Sequence, residues 1–240
     1  MVKIVADPMD LPLDSHALSF YADAAEAEDH AVRFLAGAAP GAQAVYFVPD
    51  EATSERYNAR LSSELPERVG CVIPLVGHCQ VETVEGKLRP VREVRDFVAA
   101  HTEGVTAGGD TLSMYLLPNS VSDHIEYESW FDRQPREHSR FVCPYDLRRV
   151  PVDSAPEFLR ELGQHHSHIV LSSSAEPAVR LLQLFTFGTR ATVPEPLQED
   201  LDWAVDQDYL EVAGPDSPLR LTPHGRDVVR EWSDRTTVDW

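Results

Sequence analysis

Side chains able to do chemistry crowd one stretch of this 240-residue chain, residues 140–174. Cys143 stands in Cys143-Pro144-Tyr145-Asp146, and His165, His166 and His168 follow on the far side of an amphipathic segment. Imidazole and thiolate suit zinc or iron. A thiol beside Arg140 and histidines can also be held as a reactive thiolate. Against this, His165-His166-Ser167-His168 is not the spacing of a helical zinc motif. Cys143 reads equally well as a small apolar residue at a strand end. No metal and no cofactor are therefore assigned, and a metal- or thiol-based redox sensor stands as the alternative reading. Glu128 and Asp146 are candidate acids or bases, but no Gly-x-Ser-x-Gly elbow supplies a nucleophile. Glu128 is expected to pair with an arginine or cap a helix end. Tyr127 and Tyr145 offer apolar bodies with one polar tip, fit for a pocket wall or for the core.

A phosphate-binding loop needs a glycine-rich turn followed by Lys and Ser or Thr. The chain has a single Gly-Lys pair, Gly86-Lys87, with Val81 at the earlier glycine position and Leu88 after the lysine. Pro49-Asp50-Glu51 places acid where phosphate would need N–H groups. P-loop ATPase chemistry is not expected, and the chain is read as a non-enzyme. Cys71 and Cys79 are read as structural or incidental.

The elements that must position these residues follow from periodicity. Phe141 and Val142 lead a strand into Cys143. Ser154-Ala155-Pro156-Glu157 has the form of a capping box. Ala155, Phe158, Leu159 and Leu162 then share one helical face, and Gly163 is expected to close that helix. A buried strand over 168–171 runs into Ser172-Ser173-Ser174. Earlier, residues 1–15 read as a leader and 16–21 as a short strand. Asp23-Ala24-Ala25-Glu26 starts a helix, followed by a strand over 44–48, a helix to about residue 65 and a strand over 71–76. A helix over 91–101, a strand over 111–117 and a helix over 123–131 complete the series. Strand and helix in alternation predict a mainly parallel, three-layer α/β sheet of RecA/Rossmann type with helices on both faces. Ligands of such sheets bind at the carboxyl ends of strands.

After Ser174 the pattern changes to an apolar helix, an acidic helix, a short hairpin and a last helix begun by Thr222-Pro223. This gives two regions: a core over 14–174 and a small α+β, winged-helix-like segment over 175–240. From Glu176 onward, 6 arginines stand against 13 carboxylates, a net of −7. DNA is an expected partner through 178–235, with packing or dimerisation ahead of it.

The whole chain carries 40 acidic and 21 basic residues, a net charge of −19. Only Lys3 and Lys87 are lysines. That balance argues against a conventional basic nucleic-acid face. It resembles the composition of halophilic archaeal proteins, where a Debye length of about 3 Å or less screens the self-repulsion. Three cysteines without dense spacing, and an amino terminus too charged for a signal peptide, predict a reduced cytoplasmic setting. No apolar run is long enough to span a membrane, and no membrane partner is expected.

Four pieces together resemble the MEDS family, the methanogen/methylotroph sensory domain. His16 with Phe20-Tyr21 looks like its opening strand and Tyr127-Glu128 like its helical pair. Cys143-Pro144-Tyr145-Asp146 is similar to its Cys-x-Tyr-Asp, and His166-Ser167-His168-Ile169 to its His-Pro segment, with Ser167 in place of Pro. The resemblance implies a RecA-like sensory domain in a transcriptional regulator. It would bind a small-molecule or protein signal near His16, Tyr21, Tyr127, Glu128, Cys143, Tyr145, Asp146 and His166, in a homo-oligomer. A scaffold without a ligand is the other implied reading. The geometric expectation is that Cys143, Asp146 and His166 meet at one sheet edge beside His16.

Overall fold

The computed structural model describes residues 2–40, 42–74, 81–84, 87–90, 105–109, 125–126, 128–130 and 138–236, with single positions at 92, 95, 96, 100 and 133. Among the described residues, seven strands form one parallel sheet. They are β1 (Lys3–Val5), β2 (Ser15–Tyr21), β3 (Gln43–Val48), β4 (Val72–Pro74), β7 (Val105–Gly109), β8 (Arg140–Asp146) and β9 (His168–Val170). Their order across the sheet is β1-β9-β2-β8-β7-β3-β4. Between β4 and β7, β5 (Val81–Val84) and β6 (Lys87–Pro90) form an antiparallel ribbon. Lys87 thus opens a strand, not the first turn of a phosphate-binding helix.

β2 is buried along its whole length because β9 and β8 flank it and helices cover both faces. Its side chains alternate between those faces. Leu18 and Phe20 join Cys143, Tyr145 and Ile169 in one apolar cluster. Ala17 joins Val142 and Val170 in the other, under α1 (Ala24–Ala36) and α2 (Glu51–Glu64). Asp23 caps α1, accepting from the Glu26 N–H at 2.8 Å, and Asp50 caps α2, accepting from Thr53 at 2.7 Å.

The first face is covered by α3 (Ala155–His165), which buries Ala155, Phe158, Leu159 and Leu162 as its periodicity predicts. Two local expectations fail there. Ser154 makes no side-chain cap bond, because its backbone (φ −110, ψ 3) is already turned by the 3-10 turn Val152–Ser154. An N-cap hydroxyl reaches the first-turn N–H groups from extended backbone. Gly163 does not end the helix, which runs on to His165. A Cβ at Gly163 would stand 2.2 Å from the Thr186 carbonyl oxygen, so the glycine permits close approach of the following segment.

That segment comprises α4 (Pro177–Phe185), α5 (Gln198–Asp206), the hairpin β10 (Leu210–Glu211) with β11 (Arg220–Leu221), and α6 (Pro223–Thr236). Thr222 caps α6, its Oγ1 accepting from the Gly225 N–H at 3.0 Å. The apolar cluster on the first sheet face continues through Leu181, Phe185 and Leu201 to Leu221, Val229 and Trp232. The architecture is therefore a parallel sheet with helices on both faces and a small C-terminal α+β segment that shares its core. No described helix is long and apolar enough to cross a membrane.

Other differences have plain causes. The leader supplies the edge strand β1, with Lys3, Ile4 and Val5 in register with His168, Ile169 and Val170. Residues 105–109, left unassigned between the expected 91–101 helix and 111–117 strand, form β7. Two consecutive glycines hide its pattern, but Gly108 is where the strand passes between Val142 and Tyr46. The expected strand over 111–117 lies outside the described residues, as do most of the 91–101 helix and the loop around Cys79. Of the 123–131 helix, 125–126 and 128–130 are helical.

Candidate functional site

Two strands, one helix end and one helical turn bring four reactive side chains together. His16 is the second residue of β2 and Cys143 the fourth of β8. They share a sheet face because His16 is in register with Phe141, two residues before Cys143. His166 is the C-cap of α3, just before β9, and Glu128 comes from the helical positions 128–130. One ligand-capable atom from each lies within 4.8 Å of every other. The side chains of His16, Glu128 and His166 have no exposure, and Cys143 is buried.

Backbone carbonyls orient both imidazoles. His16 Nδ1 is 3.0 Å from the His165 carbonyl oxygen, and His166 Nδ1 is 2.7 Å from that of Leu162. A carbonyl accepts only, so each Nδ1 carries the proton and donates it; in a neutral ring the lone pair then sits on Nε2. Both Nε2 atoms face the same carboxylate oxygen. Glu128 Oε2 is 3.6 Å from His16 Nε2 and 3.4 Å from His166 Nε2. His16 Nε2 is also 3.3 Å from Cys143 Sγ. The other carboxylate oxygen, Oε1, accepts the Tyr145 hydroxyl in a short hydrogen bond. Tyr145 is held in turn edge-on to Phe158.

These separations bear on two chemistries. A direct N–H···O bond spans about 2.7–3.2 Å, and both carboxylate separations are longer. His166 Nε2 makes no hydrogen bond among the described residues. Ligand atoms about 2.0–2.3 Å from a tetrahedral zinc stand about 3.3–3.6 Å apart, and the three separations above fit that spacing. A dication would balance the charge of a cysteine thiolate and a carboxylate in such a set. Imidazoles whose second nitrogen is fixed by a carbonyl are the usual outer-shell arrangement of metal ligands.

The sequence-derived residues thus divide. His16, Glu128, Cys143 and His166 converge, with Tyr145 in contact through Glu128. Among the described residues, Glu128 faces two imidazoles and a tyrosine. Asp146 and Tyr21 do not converge. They are in register with each other at the opposite, carboxyl end of β8 and β2. Asp146 is three residues beyond Cys143 and Tyr21 five beyond His16, and odd spacings on a strand point to the opposite face. Asp146 instead pairs with Arg148 at 2.7 Å, near Arg149. Tyr127 lies outside the described residues. The cluster therefore sits at the amino half of the strands, inside the layer, and not at the carboxyl-end crevice expected of the fold. His168 does not join it; its Nδ1 meets Ser167 Oγ at 2.9 Å. The part sequence reasoning missed is the pair of carbonyls, from Leu162 and His165, that aims the rings. A helix ending on two histidines carried that signal, since its last carbonyls lack helical partners. Cys71 stands apart, its thiol pushed up by burial.

No protein-family model matches the chain, and no curated protein does. Two solved structures show weak likeness. One, a structural study of PH0250 from Pyrococcus horikoshii OT3, is 14% identical with a TM-score of 0.45, covering 69% of this chain and 84% of that one. The other, the DUF1998 helicase MrfA bound to DNA, is 12% identical with a TM-score of 0.26, covering 82% of this chain and 27% of that one. The MEDS resemblance accordingly rests on its motif residues, each of whose four pieces supplies one member of the buried cluster.

Proposed function

We propose that this protein is a sensory or regulatory α/β protein whose sensor is a metal centre built from His16, Glu128, Cys143 and His166. The carrying observation is the convergence of two carbonyl-oriented Nε2 atoms on Glu128 Oε2 beside a cysteine sulfur. Zinc or ferrous iron suits this nitrogen, oxygen and sulfur set. The residues hold and orient the ion, and the surrounding apolar layer keeps water from it. Occupancy stabilises the folded state by mass action, and a metal bound better in one of two arrangements shifts the protein toward it.

The response passes to the C-terminal segment through the shared core. Ser233 Oγ on α6 donates to the Arg148 carbonyl at 3.1 Å, and Trp232 is buried in the same cluster. This docking and the segment's net of −7 favour output by packing or subunit contact over DNA contact, within a regulator of MEDS type.

The test is metal content and cobalt spectroscopy on the full chain. The expected result is about one ion per chain and a sulfur-to-cobalt charge-transfer band that Cys143→Ser removes. Outer-shell partners alone are worth about 10–100-fold in affinity, so His166→Ala should cost more than that. Substoichiometric metal with no charge-transfer band overturns the reading. The 3.3 Å approach of Cys143 Sγ to His16 Nε2 would then favour the thiol-based sensor, tested by oxidant titration of Cys143.

A further inference from the structure

Each nitrogen or oxygen ligand of the proposed centre has a second polar atom, and each second atom is held from outside the set. His16 Nδ1 is tied to the His165 carbonyl and His166 Nδ1 to that of Leu162. Glu128 Oε1 accepts the Tyr145 hydroxyl. The carbonyls fix which ring nitrogen faces inward. The tyrosine does the same for a carboxylate, which otherwise has two equivalent oxygens to offer.

The placement of Tyr145 suits that task. It stands two residues after Cys143 on β8, so both side chains leave the same face of the strand. One strand thus delivers a ligand and the group that orients another ligand. Tyr145 is fully buried, and its ring meets Phe158 of α3 edge-on at 6.2 Å. Packing therefore sets the position of its hydroxyl independently of any ion.

Oε2 is the oxygen turned toward both imidazoles, 3.6 Å from His16 Nε2 and 3.4 Å from His166 Nε2. With Oε1 engaged by the tyrosine, the carboxylate offers one oxygen. Two imidazole nitrogens and one sulfur complete a set of four donors. The side chains of His16, Glu128 and His166 have no exposure, and Cys143 is buried, so bulk water does not reach a fifth position. Four mixed donors closed to water are the arrangement of structural zinc. Ferrous sites built on two histidines and one carboxylate keep open positions.

We infer that the centre is a closed, four-coordinate zinc site, and that Tyr145 is the positioning residue that keeps Glu128 to one oxygen. The inference rests on the metal reading above and goes beyond it in the coordination number, the choice of metal and the role of Tyr145.

The test is cobalt substitution of the full chain and of Tyr145→Phe, which keeps the ring against Phe158 and removes the hydroxyl. The parent should show the intense visible d–d bands of four-coordinate cobalt beside the sulfur-to-cobalt band. Zinc should displace that cobalt one for one, and equimolar ferrous iron without oxygen should not. In Tyr145→Phe the sulfur band should persist, because Cys143 is untouched. Its d–d bands should weaken toward the five-coordinate pattern as Oε1 swings to the ion, and affinity should fall about 10–100-fold. A tyrosine that only packs would lower the melting temperature and leave the spectrum of the folded, loaded variant unchanged. A sulfur band with weak d–d bands in the parent, or displacement by ferrous iron, overturns the closed zinc site while the metal reading stands. An unchanged spectrum and affinity in folded Tyr145→Phe overturns the role of the tyrosine. A parent without a sulfur band overturns the metal reading and this inference with it. The parent spectrum alone decides the coordination number, whether or not the variant folds.

Discussion

Two glutamates in contact with β2 and its neighbours meet opposite surroundings. Glu26, in the first turn of α1, is half-buried at the carboxyl end of the strands and ringed by donors. It accepts from the Ala22 N–H at 2.8 Å, the Ser173 N–H at 2.6 Å, and the Ser172 and Ser173 hydroxyls at 2.6 and 2.9 Å. Glu128, at the amino half, is fully buried and faces two imidazole nitrogens whose rings already donate elsewhere. The first carboxylate is complete as it stands and fills the crevice where folds of this kind bind ligands. The second accepts the Tyr145 hydroxyl through Oε1 and turns Oε2 toward the two Nε2 atoms, the side that the proposed cation would complete. On the metal reading the first carboxylate is structural and the second a ligand.

The largest effect that could break this contrast comes from Glu128. Removing one member of a buried charged set costs about 3–5 kcal/mol. Glu128→Ala should therefore lower the urea-unfolding stability of the metal-loaded chain by about that much. Glu128→Gln keeps the shape and an acceptor for Tyr145 but removes the charge. It is expected to abolish stoichiometric metal. Normal zinc content in a folded Glu128→Gln protein would mean that the carboxylate is no ligand, and the contrast would collapse.

Glu26 sharpens the comparison from the other side. Glu26→Ala loses hydrogen bonds at a half-exposed helix start, with an expected cost of about 1–2 kcal/mol. Metal content should not change. The two sites lie toward opposite ends of the strands, so a double variant with Glu128→Ala should be additive within about 0.5 kcal/mol. Greater coupling would show that the crevice and the cluster act as one unit.

Most of the sheet was legible because buried parallel strands write their own signal: 16–21, 44–48 and 168–171 are short apolar runs between helices. β7 was not, since Thr106-Ala107-Gly108-Gly109 owes its strand to neighbours on both sides. β1 was not, since three residues carry no period. The cluster was half legible. Residue types at His16, Glu128, Cys143 and His166 were readable, but a spacing rule applied to His165-His166-Ser167-His168 misleads when the clustered side chains come from four separate segments. The face of each strand residue was readable too. Counting by two from Cys143 reaches Tyr145 and passes Asp146, which excludes Asp146 from the cluster.

The smallest effect is a pH dependence, centred on neither glutamate alone. His30 lies on α1 with Nδ1 2.9 Å from Ser19 Oγ. Its pKa is lowered from the ordinary 6.5 first by burial, with Glu26 and Asp29 pulling it up and Arg33 adding to the lowering. A depressed pKa means that the unfolded chain binds the proton more readily. The contribution is therefore fully present above about pH 6.5 and is lost as pH falls through that value toward the folded pKa. One group changes stability by at most about 1.4 kcal/mol per pH unit. His30→Asn keeps a partner for Ser19 and cannot titrate. Urea unfolding at about pH 7.5 and 5.5 should show a smaller acid loss in the variant than in the parent. The difference should grow when Glu26→Ala is added to both, because Glu26 stabilises the protonated ring and so partly masks its burial. Equal acid losses with and without His30 would place the pH sensitivity in other groups, His168 first among them, whose pKa burial also lowers.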